Sequence, residues 1–185
     1  MEGPSTYTAF EGQSLLAAGT RDEVLAALKS RFDRDAGALI LTFEDQTGKQ
    51  VDFDLRGTLA DVLARYRPAP QRAGPGRPKL GVVAREVSLL PRHWEWLEQQ
   101  PNGASAAIRG LVDEARKRDP GEQQARAAVE AAGRFLSAMA GNLPGYEEAT
   151  RALYARNTER LDDLIRLWPG DIRRQAQRLV RGAFE

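Results

Sequence analysis

Residues 67–81, RPAPQRAGPGRPKLG, hold four prolines and three glycines. Proline lacks a backbone donor and fixes φ, and glycine is costly to order, so this stretch cannot continue a helix or fill a central strand. It reads as a linker. The chain has 185 residues, room for one ordinary domain or two small ones, and any core must come from the segments flanking the linker.

Charge sharpens the division. Residues 1–64 carry 6 Lys/Arg and 11 Asp/Glu, a net of −5. Residues 65–92 carry 7 basic groups and one acid, Glu86, a net of +6, and residues 93–185 balance at 14 of each. The whole-chain charge of +1 therefore hides a local electropositive stretch that can attract a polyanion. No run of about 18 apolar residues is present, and the start, MEGPSTYTAFEG, lacks the basic and apolar pattern of a secretory signal. There is no cysteine, which removes disulfides, thiol nucleophiles and thiolate metal sites, and a cytoplasmic location is expected.

Before the linker, residues 1–66 read as a small acidic α+β domain of order ββαββα. Tyr7–Phe10 and Leu15–Ala18 form a hairpin. Thr20 and Glu23 make a capping box for a helix with Val24, Leu25, Leu28 and Phe32 on one face. Two strands flank Asp45-Gln46-Thr47-Gly48, and Val51, Phe53 and Leu55 alternate with Asp52 and Asp54. Thr58 and Asp61 repeat the capping pattern before Leu59, Val62, Leu63 and Tyr66.

After the linker, residues 82–118 read as strand, short helix, turn and second helix. Val87 and Leu89 share the inward face of the strand with Val83, while Ala84, Glu86 and Ser88 face out. Pro91 suits a first helical position. Trp94, Leu97 and Trp96 form the stripe of the first helix. Ser105 or Asn102 caps the second, whose Ala107, Ile108, Leu111, Val112 and Ala115 recur at helical spacing. A lone strand has two unpaired edges, and a second copy of itself is an economical partner. Two copies make an antiparallel ribbon of the right size for a DNA major groove.

Residues 119–185 read as a helical extension. Asp119-Pro120-Gly121-Glu122 starts a helix that runs to Met139 or Ala140. Pro144 begins another, with Tyr146, Ala149, Leu153 and Tyr154 as its apolar side. Asn157 or Thr158 caps a third carrying Leu161, Leu164, Ile165 and Trp168. Pro169-Gly170 breaks it before a helix with Ile172, Ala176, Leu179 and Val180.

The segments VAREVSLLP and WEWLEQQPNGASAAIRGLVDEA, within residues 80–118, resemble the ribbon-helix-helix superfamily of bacterial regulators and antitoxins (Arc/MetJ/CopG type). The resemblance implies a homodimer held by Val83, Val87, Leu89, Trp94, Leu97, Ile108 and Leu111. It implies base reading by Ala84, Glu86 and Ser88, with phosphate contacts near Asn102 to Ser105. This chain departs from the family by carrying Ala84 and Glu86 where Arg, Lys, Asn, Gln or Thr are usual. A glutamate can accept from cytosine N4, and a one-residue shift would turn Arg85 outward. Over nearly its whole length the chain also resembles an uncharacterised bacterial family, domain of unknown function 2239, through DLRGT, GPGRPKLGVVAREVSLLPRHWEWL and SAMAGNLPGYEEATRALY. That resemblance implies a bacterial source and a two-part layout, and no activity.

Other features weigh less. Gly76-Arg77-Pro78-Lys79 matches the core of minor-groove hook segments, so Arg72, Arg77 and Lys79 form a candidate basic arm, against the plainer reading of a stiff charged linker. His93 is the only histidine and has no partner for a catalytic triad. Glu44, Asp45, Asp52 and Asp54 form an acidic cluster that a wet strand face already explains. There is no phosphate loop, dinucleotide fingerprint or nucleophile elbow. The expected function is equilibrium binding of double-stranded DNA, without cofactor, metal or catalysis, with Arg77, Lys79, Arg85 and Arg92 supplying charge. The flanking segments then recruit a protein partner or sense a ligand. The rival is a protein-interaction or antitoxin-like adaptor that dimerises without touching DNA. A small carboxylate enzyme is a weaker rival.

Overall fold

The computed structural model describes residues 5–67, 83, 85–118 and 120–184. Among them are four strands in one antiparallel sheet and eight helices, a mixed α+β arrangement. The chain divides into two units: Met1–Arg67 with Gly121–Glu185, and Pro68–Pro120.

The first unit opens with a hairpin of β1 (Thr6–Glu11) and β2 (Ser14–Thr20), which turns at Gly12. α1 (Arg21–Arg34) follows under the expected capping box: Glu23 N–H donates to the Thr20 hydroxyl, and Thr20 N–H donates to the Glu23 carboxylate at 2.8 Å. β3 (Ile40–Glu44) and β4 (Lys49–Gln50) complete a sheet of order β2-β1-β3-β4. Thr58 and Asp61 cap α2 (Leu59–Tyr66) in the same reciprocal way.

The strand expected over residues 49–55 stops early. Val51 N–H donates one further bond to Thr42 O at 2.8 Å, and the ladder then ends. Asp54 N–H instead donates to the Tyr66 hydroxyl at 2.6 Å, and Arg65 donates to Asp54 O, so α2 takes the backbone groups that a sheet partner would use. Phe53 packs edge-on to Tyr7 and Tyr66, with centroids 5.8 and 5.0 Å away. The in-out alternation holds only from Val51 to Phe53: Val51, Phe53, Asp54 and Leu55 are half-buried and Asp52 is exposed.

The second unit contains α3 (Pro91–Glu98) and α4 (Gly103–Arg118). The chain then returns to the first unit with α5 (Pro120–Ala140), α6 (Tyr146–Tyr154), α7 (Thr158–Ile165) and α8 (Gly170–Phe184). Gly145, with a left-handed φ of 76°, delays α6 to Tyr146, and Tyr154 lies exposed instead of on the buried side. Asn157 caps α7 by accepting from Arg160 N–H. Trp168 falls beyond the end of α7, buried, with its indole Nε1–H donating to Pro144 O at 2.8 Å.

These helices are no separate extension of the α+β segment. Phe10 and Phe43 from the sheet share a core with Val129, Phe135 and Leu136 of α5, Leu153 of α6, Ile165 of α7 and Ile172 of α8. The opposite sheet face, at Ala9, packs on Val24 and Leu28 of α1. The sheet thus has two apolar faces, and the amphipathic stripes of residues 120–184 supply the cover for one of them. Phe10, Phe43 and Phe135 form a triangle with centroids 5.2 to 6.5 Å apart, each such pair contributing about 0.5–1.5 kcal/mol beyond area burial.

Polar tethers join the same segments. Asp45 Oδ1 accepts from the Thr8 hydroxyl at 2.7 Å and from Gln175 Nε2 at 3.0 Å, while Arg178 Nη2 pairs with Asp45 Oδ2 at 2.8 Å. Leu15 N–H donates to Asp171 at 2.8 Å, and Arg134 donates to Thr47 O at 2.7 Å. Gly48 makes the last of these approaches possible. Its φ is +64°, and a Cβ there would stand 2.1 Å from the carbonyl oxygen of Ala131 in α5.

Candidate functional site

The second unit is where the sequence places the binding surface. Pro91 occupies the first turn of α3, where its missing N–H leaves no bond unmade. Residues 85–90 enter α3 without helix or strand pairing of their own. Asn102 and Gly103 both have left-handed backbones, with φ of 72° and 77°, and reverse the chain between the helices. Ser105 lies inside the first turn of α4 and is exposed, as is Asn102.

The expected stripe of α3 is buried at one position only. Leu97 is 3% exposed, whereas Trp94 is 38% and Trp96 48% exposed. The cause is geometric: two helices form a single layer, and α4 offers half-buried Ala104, Ala107 and Ile108 but no fully buried residue. That is too little surface to cover two indole rings. Leu89, Trp96, Leu97, Ile108, Leu111 and Val112 instead line an open groove of about 520 Å³, with Arg92 and His93 on its wall.

Of the residues assigned to dimerisation, the structure thus gathers Leu89, Leu97, Ile108 and Leu111 around one groove, and Trp94 lies outside that lining. Val83 and Val87 are exposed on the segment that precedes α3. Trp96, Val112 and His93 were not assigned to a dimer surface. The i, i+3, i+4 relation of His93, Trp96 and Leu97 was the signal that could have found two of them.

Of the residues assigned to DNA, Arg77, Lys79 and Ala84 lie outside the described residues. Arg85, Glu86, Ser88 and Arg92 are all exposed. Arg92 Nε sits 3.5 Å from His93 Nε2. The first turn of α4 holds no acidic side chain, and its last turn holds Arg116, Lys117 and Arg118, the arrangement that complements the helix dipole.

The acidic residues of the first unit do not converge. Asp45 is tied to Thr8, Gln175 and Arg178, Glu44 accepts from the Thr47 hydroxyl at 2.7 Å, and Asp54 is paired with Arg56 at 2.7 Å. Arg56 beside Asp54 holds that carboxyl far below the usual carboxylate range. Among the described residues no three His, Asp or Glu side chains are grouped to hold a metal ion, and no helix is long and apolar enough to cross a membrane.

A family model described as "Uncharacterized protein conserved in bacteria (DUF2239)" matches residues 6–180. No curated protein and no solved structure matches the chain.

Proposed function

The chain belongs to this bacterial family, and from that premise we propose that it is a non-enzymatic, DNA-binding transcriptional regulator that dimerises through residues 82–118 in a ribbon-helix-helix-like arrangement. One observation carries the reading. The unit around α3 and α4 leaves Val87, Leu90, Trp96, Leu111 and Val112 exposed. A unit this small rarely stands alone on so thin a core, and a second copy supplies the missing layer. Residues 85–90 have no strand partner among the described residues, which leaves their edges available to the same segment of that copy. The excess of 7 basic groups over one acid in residues 65–92 adjoins or overlaps that segment in sequence and favours a polyanion.

In this reading Arg85 and Arg92, with Arg77 and Lys79, meet phosphates, and Glu86 and Ser88 meet base edges. The test joins light scattering with retardation of duplex DNA across a salt series. A dimer whose affinity falls by roughly one log unit per phosphate contact for each log unit of salt supports it. A well-folded dimer that never retards duplex at low salt removes the DNA step. Arg77→Ala with Lys79→Ala lowers both the affinity and the salt slope if the basic arm takes part.

Glu86 favours a second reading. An exposed carboxylate on the reading segment repels phosphate, which suits an antitoxin-like adaptor that dimerises and binds another protein. Recovery of one stoichiometric partner that survives nuclease treatment, with no DNA retardation, would select it.

A further inference from the structure

The groove between α3 and α4 is apolar except for one pair of side chains. Trp96, Leu97, Ile108, Leu111 and Val112 supply most of its carbon surface, and Arg92 and His93 are its only ionisable lining residues. Arg92 Nε donates to His93 Nε2 at 3.5 Å, a contact that only a neutral ring can accept. No carboxylate lines the groove with them. On α3, Glu95 and Glu98 lie outside the lining. From α4, which packs against α3, only Ile108, Leu111 and Val112 reach it, and Arg109, Asp113, Glu114 and the basic last turn do not. The segment before α3 contributes Leu89 and neither Arg85 nor Glu86.

His93 also stands alone in the sequence. The chain has one histidine and no cysteine, so between about pH 5.5 and 7 no other side chain ordinarily changes charge.

We propose that His93 makes association through this groove sensitive to pH: the neutral imidazole lets a second copy cover the groove, and the imidazolium drives the copies apart. The inference rests on the dimer reading of residues 82–118 and names the proton as the regulator of that surface. In the single chain the ring is exposed and keeps its water. Covered by a second copy, it loses that water beside a fixed guanidinium, and both effects disfavour the charged form. A twofold arrangement repeats the pair, so the penalty acts once in each copy. Protons therefore bind more tightly to the separated chains. Association weakens as pH falls through the ordinary histidine range, about 6.5.

Sedimentation equilibrium of the full chain at pH 7.0 and 5.5, at constant ionic strength, reads the effect. The dimer should be roughly fivefold to fiftyfold weaker at pH 5.5 with two histidines taking part. His93→Gln keeps a polar side chain without the charge and should hold one strength at both values. His93→Lys carries the charge throughout and should be weak at both. Helix content by circular dichroism should not change, because ordinary carboxylates titrate lower. A dimer equally strong at both pH values, or a His93→Gln dimer that weakens as the parent does, would overturn the switch and leave the dimer standing. So would a loss of helix content at pH 5.5 that matches the loss of dimer. A chain that stays monomeric at pH 7.0 would overturn the dimer reading itself, and the switch with it.

Discussion

In the first unit Phe135 of α5 is fully buried against Phe10 and Phe43; in the second, Trp96 of α3 remains 48% exposed. Both residues sit on the apolar stripe of an amphipathic helix. The difference is what the chain offers as cover. The first unit draws on a sheet and six helices from both ends of the sequence, the second on one neighbouring helix. An amphipathic stripe therefore reports that a partner is needed, and the rest of the fold decides whether that partner is in the same chain.

Phe135→Ala is the most direct way to break this comparison. It empties the centre of the aromatic triangle and should cost about 3–5 kcal/mol in urea unfolding, while the self-association proposed for residues 82–118 should be unaffected below the new midpoint. A loss under about 1 kcal/mol would mean that the sheet and α5 do not share a core. Gly48→Ala comes next. A left-handed alanine and a Cβ driven into the Ala131 carbonyl should together cost roughly 2–4 kcal/mol. Unchanged stability would show that the β3–β4 turn does not approach α5 so closely.

Leu111→Asp tests the other side. It places a charge in the groove between α3 and α4, and should weaken association by on the order of 2 kcal/mol in sedimentation equilibrium, leaving the unfolding midpoint of the first unit in place. A dimer of unaltered strength would relocate the interface. The smallest effect is expected on acidification. Arg31 holds Glu11, the Thr58 hydroxyl holds Asp61, Leu15 N–H holds Asp171 and Arg156 holds Glu122 below their ordinary carboxylate values. Groups lowered in the folded state contribute stability above their unfolded pKa values and lose it as pH falls through the folded ones. The first unit should thus hold its midpoint near pH 6 and lose it progressively below about pH 4, and Glu11→Gln should flatten that slope.

Local chemistry made much of this architecture legible in the sequence. The capping boxes at Thr20 and Thr58, the Asn157 cap and the break at Pro169-Gly170 each depend on residues a few positions apart. What depended on distant residues was not legible. Nothing near Val51 announces that Tyr66 and Arg65 will claim the backbone of Asp54 and end the ladder. Nothing near Phe10 announces Phe135. Trp94 and Trp96 were read as buried because the stripe of α3 was visible, whereas the thinness of α4, rich in alanine, sets how much it can cover. In the second unit, the groove residues Leu89, Leu97, Ile108 and Leu111 follow from spacing, and Trp96 belongs with them through its i, i+3 relation to His93.

The Thr8–Arg178 contact spans 170 residues. A ribosome adding roughly 5–20 residues per second must work for on the order of ten seconds or more between releasing one partner and the other. During that interval the hairpin of β1 and β2 leaves the exit tunnel with Phe10 uncovered, a natural client for a nascent-chain chaperone. The α3–α4 segment leaves the ribosome before α8 is made. The dimer proposed for this segment would then assemble before either fold is complete.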